Sequence, residues 1–179
     1  MSDLTASGAW RFAQAPDMPF LYHLAAAVEP RWWRITRGGA SPSVVMSAIQ
    51  QCDAVGVVLD ADGEPVGAAA LAEGSMVAST AVLDLVALPN DAARATVAAV
   101  APDIVRAGLQ GGALRALYHQ CFDDDPDLLG TTRPLWVEEV RFPDYALVDG
   151  HWRDRSLLTL TAAAHEAWTA ASAPDEVEP

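Results

Sequence analysis

Apolar and polar positions along the chain divide it into short elements of changing period. Trp10 to Ala13 alternates large apolar with polar side chains, the two-residue repeat of a strand. Asp17 then stands where it can cap a helix that carries Phe20, Leu21, Leu24 and Val28 on one face and that Pro30 stops. Arg31 to Ser43 mixes Trp32, Trp33 and three arginines with Gly38, Gly39 and Pro42, so it reads as a long loop. A second helix, capped by Ser41 or Ser43, follows and ends near Gln51. Val55 to Leu59 and Pro65 to Ala72 flank Asp60-Ala61-Asp62-Gly63 as a β-hairpin, and Thr80 to Leu88 adds a third consecutive strand.

Beyond Pro89-Asn90-Asp91 the period becomes helical, through Ala95, Val97, Val100, Ile104, Val105 and Leu109. Pro102 is expected to kink or split this helix, because its ring removes a backbone donor. Gly111-Gly112 ends it, and Leu114 to Phe122 reads as the next strand. Asp123 to Asp127 resembles the acidic first turn of another helix. Trp136 to Thr161 contains two long alternating segments joined at Val148-Asp149-Gly150-His151, a second hairpin in which Pro143 points to a bulge or an edge strand. Residues 162 to 171 suit a short last helix. The expected organisation is one domain over residues 8–171, followed by a disordered acidic tail over 172–179.

At 179 residues the chain supports one well-buried core rather than two. No apolar run is long enough to span a membrane, and Met1 to Gly8 lacks a basic region followed by an apolar one, so a cytoplasmic protein with no membrane partner is expected. The charge of −13 opposes binding to phosphate backbones, which argues against nucleic acid. All eleven basic residues are arginine, so Schiff-base lysines and the lysine of a phosphate loop are excluded. Abundant alanine, a single asparagine and no lysine look like the codon usage of a GC-rich bacterium. Cys52 and Cys121 belong to no metal-binding spacing. His119, Cys121 and Asp123 alternate on one strand face but lack a fourth ligand, so no metal is expected. There is no nucleophile elbow or dinucleotide-binding glycine turn.

The element order is strand, two helices, three meandering strands, helix, strand, helix and a long final hairpin. It resembles the GNAT (GCN5-related N-acetyltransferase) superfamily. Two local stretches are similar to its ribosomal-protein alanine acetyltransferase branch: Asp62-Gly63-Glu64-Pro65-Val66-Gly67, and Val137-Glu138-Glu139-Val140-Arg141-Phe142 through Asp149-Gly150-His151-Trp152-Arg153-Asp154. The resemblance implies an α/β fold with a mixed, mostly antiparallel sheet of about seven strands flanked by helices. It implies that the fourth and fifth strands splay apart to admit acetyl-CoA.

On that resemblance, the backbone of Leu85, Val86, Ala87 and Leu88 would meet the pantetheine arm, and Asn90, Ala92, Ala93, Arg94 and Ala95 would meet the pyrophosphate at the next helix start. The family writes that turn with an arginine and glycines. Here Ala92-Ala93-Arg94-Ala95 stands in their place, a degenerate version whose methyl groups would narrow the cradle and whose Asp91 adds a negative charge.

Amine acetylation needs a proton acceptor. Asp84, a carboxylate among apolar strand residues, is the leading base, with a structural pairing to a neighbouring arginine as the alternative. His119 is a second titrating candidate, against the reading of a satisfied core or surface histidine. Tyr118 points to the other face of the same strand. Trp32, Trp33 and Tyr118 are the candidate acceptor-binding residues, with aromatic cover of the sheet edge as the alternative for the tryptophans. The tyrosine that the family often uses as general acid has no counterpart between Asp123 and Pro134. The resemblance thus implies transfer of an acyl group from acetyl-CoA to a primary amine of a small molecule or peptide. The alternative is a non-catalytic binding or assembly module of the same fold. The exposed final hairpin makes a homodimer a reasonable arrangement.

Overall fold

The computed structural model of the protein describes residues 9–28, 41–110 and 112–172. The loop carrying Trp32 and Trp33, together with Gly111 and the tail beyond residue 172, lies outside the described residues. Seven strands form a single sheet: β1 (Ala9–Phe12), β2 (Ala54–Leu59), β3 (Pro65–Ser75), β4 (Thr80–Ala87), β5 (Ala116–Phe122), β6 (Val137–Val148) and β7 (His151–Thr161). Their spatial order is β1-β2-β3-β4-β5-β7-β6, antiparallel throughout except for the parallel pair β4 and β5. The expected mixed sheet is therefore present, and β6 is an edge strand whose register shifts between Phe142 and Ala146, around Pro143.

Helices cover the two faces differently. α1 (Met18–Ala27) and α2 (Pro42–Gln50) bury Leu21, Leu24 and Val45 against Val57, Ala68, Ala70 and Val86. α3 (Asp91–Leu109) packs Val97, Val100, Ile104 and Val105 against Leu83, Leu85 and Leu117 on the opposite face. Alternation along β4 thus sends Leu83 and Leu85 to the α3 side, and Asp84 and Val86 to the α1–α2 side. Gly67 lets α3 come close, because a Cβ there would fall on Val97 and 2.6 Å from the Val86 carbonyl. A last helix, α4 (Ala162–Ser172), follows β7. Among the described residues no helix is long and apolar enough to cross a membrane.

Three local expectations need correction. Asp17 precedes α1 but gives it no side-chain cap. Its carboxylate turns back to accept from Arg11 at 2.6 and 2.7 Å and from the Gln14 amide at 2.7 Å, and these bonds hold its pKa low, that from Arg11 most strongly. Pro102 does not divide α3, which runs unbroken over nineteen residues. Its missing N–H leaves the Ala98 carbonyl without the usual helical donor, and Gly130 nests against that carbonyl.

Finally, no helix begins in the acidic run after β5. Asp125 accepts from the Phe122 amide at 2.7 Å and Asp127 from the Leu129 amide at 3.0 Å, local bonds that compete with a helix, while Pro126 disfavours helical backbone at Asp125. A 3-10 helix, Gly130–Leu135, closes the segment instead.

Candidate active site at the splay of two parallel strands

β4 and β5 pair over three positions only: Thr80 with Ala116, Ala81 with Leu117 and Val82 with Tyr118. Beyond Val82 they diverge, although β4 continues to Ala87 and β5 to Phe122. The backbone that faces this gap follows from alternation. The Ser79 carbonyl accepts from Arg115 on the β5 side, and the Leu88 amide donates to Val66 on the β3 side. Odd-numbered residues of β4 therefore aim their N–H and C=O at β5, so Leu85 and Ala87 present theirs to the gap. Val86 and Leu88 direct theirs to β3.

His119 stands at the apex. Its Nδ1 lies 2.9 Å from the Leu83 carbonyl, and because a carbonyl only accepts, Nδ1 carries the hydrogen and Nε2 is left with a lone pair. The Trp136 ring meets the imidazole edge-on at 5.9 Å. Burial pushes the His119 pKa down; the Leu83 hydrogen bond and the charges of Asp84 and Asp127 push it up, and Arg133 adds to the lowering. The net direction is downward, so the ring is neutral at neutral pH.

Two cavities meet at this histidine. The gap is a narrow slot of about 30 Å³ between the end of β4, Arg94, His119 and Pro126. The other, about 320 Å³, lies beneath residues 121–129 and is walled by Asp125, Asp127, Arg133, Glu138 and Leu158. His119, Asp125, Pro126 and Leu128 line both. Arg141 holds Glu138 with bonds of 2.8 and 3.0 Å, and Ser156 donates to the same carboxylate at 2.7 Å. Burial first, then Asp125, Glu138 and Asp127, push the Cys121 thiol up to about 11, against the opposing charge of Arg133.

The start of α3 lies beyond the open end of the gap. Asn90 caps it by accepting from the Ala93 amide at 2.9 Å, and the Arg94 amide donates to the Asn90 carbonyl. Among the described residues no bond takes the amides of Asp91 and Ala92, so these two remain for an anion. The methyl group of Ala93 does not narrow the mouth as expected, because it is buried in the core beneath α3. Arg94 lines the gap and pairs with the exposed Asp91 carboxylate at 3.5 Å. Two free amides and one guanidinium fit a pyrophosphate with fewer donors than a glycine-rich turn provides.

Of the residues singled out in the sequence, Leu85, Val86, Ala87, Arg94 and His119 come together around the gap. Leu88, Asn90, Ala92, Ala93 and Ala95 belong to the turn and the first helical residues beside it. Asp84 is buried on the α1–α2 face, shared with its cross-strand partner Ala70. Tyr118 is half-buried and pairs across the strands with Thr159. Sequence reasoning missed Gln120, Pro126, Leu128 and Trp136. Only Trp136, a large aromatic opening an alternating segment, carried a signal. Among the described residues no group of His, Cys, Asp and Glu could hold a metal ion.

One half-buried and one buried histidine set a pH dependence. Both His119 and His165 have lowered pKa values, with burial the largest cause in each. The unfolded chain takes up these protons near pH 6.5 and the folded chain only at lower pH. Stability should therefore be flat above about pH 6.5 and fall as the pH drops below it. Urea titrations between pH 5 and 8 should show this slope, and His119→Asn should make it shallower.

The sequence matches no family model and no curated protein. Its fold has clear solved counterparts. Spermidine N-acetyltransferase from Vibrio cholerae, in complex with CoA and spermine, superposes with a TM-score of 0.74 at 14% identity, over 90% of this chain and 99% of that chain. A point mutant of the same enzyme gives 0.71 at 12% identity, over 92% and 99%. A candidate phosphinothricin N-acetyltransferase gives 0.67 at 16% identity, over 86% and 98%. The chain has the fold of the GNAT N-acetyltransferases, with the splayed parallel pair at its centre.

Proposed function

We propose that the protein is an acyl-CoA-dependent N-acyltransferase that moves an acetyl group from acetyl-CoA to a primary amine of a small molecule or peptide. The observation that carries this reading is the gap itself: β4 leaves β5 after three paired residues and turns the backbone of Leu85 and Ala87 into the opening. A solved counterpart binds CoA and spermine. The charge of −13 favours a cationic acceptor, and an aliphatic amine is the simplest one. The narrower placement with ribosomal-protein alanine acetyltransferases rests on the two hairpin motifs alone.

When bound, the thioester supplies an activated acyl carbon. The chain's own residues then have separate tasks. The Leu85 N–H polarises the acyl carbonyl, Ala87 pairs with the pantetheine amides, and the Asp91 and Ala92 amides with Arg94 hold the pyrophosphate. Asp84 takes the proton that makes the acceptor amine nucleophilic.

Thermal denaturation with acetyl-CoA tests the reading. Ligand at a hundred times its dissociation constant should stabilise the fold by about 2.7 kcal/mol. Spermidine and an alanine-terminated peptide, supplied as acceptors, should release free thiol. No stabilisation, and no thiol, would leave the second reading, a non-catalytic module of this fold. That reading is favoured by the helix start, where Asn90 already uses the Ala93 amide and the Asp91 carboxylate already pairs with Arg94.

A further inference from the structure

The surface around Asp84 decides which amines can be presented to the gap. Alternation and register carry the face of Asp84 across the strands on the far side of the opening. Val82, two residues before it, pairs with Tyr118, and Tyr118 pairs with Thr159. One step along the strands Leu157 stands between Gln120 and Val140, and at the next Arg155 stands between Phe122 and Phe142. Residues paired in register share a face, so all of these lie on the side of Asp84. On that side α1 and α2 pack against residues of β2, β3 and β4. Farther out Val140, Phe142 and Tyr145 are 41%, 44% and 49% exposed, an apolar floor open to a ligand among the described residues.

Arg155 is the charged member of this floor. Arg11, Arg94, Arg106, Arg141 and Arg153 each pair with a carboxylate, and Arg115 and Arg133 are exposed. Arg155 is half-buried, and among the described residues no carboxylate pairs with it. Its guanidinium is held in place by Tyr145: Nη1 donates to the phenol oxygen at 2.6 Å, and the central carbon lies 4.8 Å from the ring centre. Tyr145 packs in turn on Phe122 and Phe142, at 6.1 and 6.0 Å between ring centres. Strict alternation would turn residue 145 away from the face of Phe142. The register shift between Phe142 and Ala146, with Asp144 at a φ of +48°, brings it to the same face. The irregular edge strand thus orients one guanidinium, and a half-buried cation so placed is completed by an anion.

Resting on the function proposed above, we infer that the acceptor is an amino carboxylate with an apolar body: its amine lies at Asp84, the body crosses the floor, and Arg155 holds the carboxylate. Two strand spacings and one two-residue step separate Asp84 from Arg155, roughly 12 Å between Cα atoms before the splay adds to it. An α-amino acid, whose amine and carboxylate share one carbon, cannot reach both. A peptide of about three residues, extended at about 3.3–3.6 Å each, can. The planar fork of arginine suits a carboxylate, and Tyr145 fixes the fork before the ligand arrives. The charge of −13 draws amines of every kind from a distance. Within a screening length of about 8–10 Å the charge of Arg155 sorts them, favouring a carboxylate and opposing a second ammonium.

The tripeptide Ala-Phe-Phe, its C-terminal amide and spermidine test this, each read by thiol release from acetyl-CoA and by calorimetric titration in the presence of CoA. The free acid should exceed the amide about tenfold or more in kcat/KM and in affinity, and should exceed spermidine as well. In Arg155→Gln the acid-to-amide ratio should fall to about one. Arg155→Lys, which keeps the charge and loses the fork, should restore part of it. Equal values for acid and amide in the unsubstituted protein overturn the inference and leave acyl transfer standing, and so does a ratio that survives in Arg155→Gln. If no probe releases thiol, the proposed function fails, and the titration still decides whether the carboxylate is selected. Should Arg155→Gln fail to fold, the acid-to-amide ratio of the unsubstituted protein decides alone.

Discussion

Gly130→Ala is expected to destabilise the protein by about 2–5 kcal/mol, read as a lower urea midpoint at an unchanged slope. Two effects add. Gly130 has φ of +55°, where a side chain costs about 1–2 kcal/mol. A Cβ there would also fall within contact distance of the Ala98 carbonyl, backbone that cannot swing aside. Gly150→Ala separates the two, because Gly150 has φ of +78° with nothing near its Cβ position, and its loss should be limited to the backbone effect. The difference between the variants measures the close approach of the 3-10 helix to α3. That approach matters for the site. Thr132 donates to the Leu129 carbonyl at 2.7 Å and accepts from the Trp136 indole at 3.2 Å, and Trp136 packs on His119. Pushing residue 130 outward should therefore loosen the histidine as well as the fold.

The strands were readable because their period is local. Thr80 to Leu88 and the two hairpins announce themselves by alternation and by turn residues, and sheet pairing then follows from short connections. The elements misread are those in which a side chain or a distant backbone decides the outcome. Asp17 carries a capping residue's chemistry, yet Arg11, six residues earlier, takes its carboxylate. The acidic run after β5 has the composition of a helix start, yet Asp125 and Asp127 close local turns. Pro102 suggests a kink or a split, yet α3 continues through it, with Gly130, from another part of the chain, packed on the carbonyl left free.

The same distinction holds at the site. That Leu85, Ala87 and Arg94 border the gap was reachable from the resemblance, because their positions depend on the strand and the turn. The position of His119 on the strand beside the gap was also reachable, but what holds its ring was not, since that depends on Leu83 in a different strand and on Trp136 well beyond β5. The orientation of the Ala93 methyl, inward rather than toward the helix mouth, likewise appears only once α3 is docked.

Asp84→Asn should slow turnover about a thousandfold at pH 7 while leaving acetyl-CoA affinity within about twofold. The substitution preserves shape and removes charge, so it isolates the carboxylate's part in taking the acceptor's proton. Asp84 is buried on the α1–α2 face, whereas the groups assigned to acetyl-CoA are backbone of Leu85 and Ala87 and the start of α3. Loss of a proton acceptor should thus appear in kcat and not in cosubstrate binding. A purely structural carboxylate would give the reverse: a lower melting temperature, weaker acetyl-CoA stabilisation, and an unchanged rate per folded molecule.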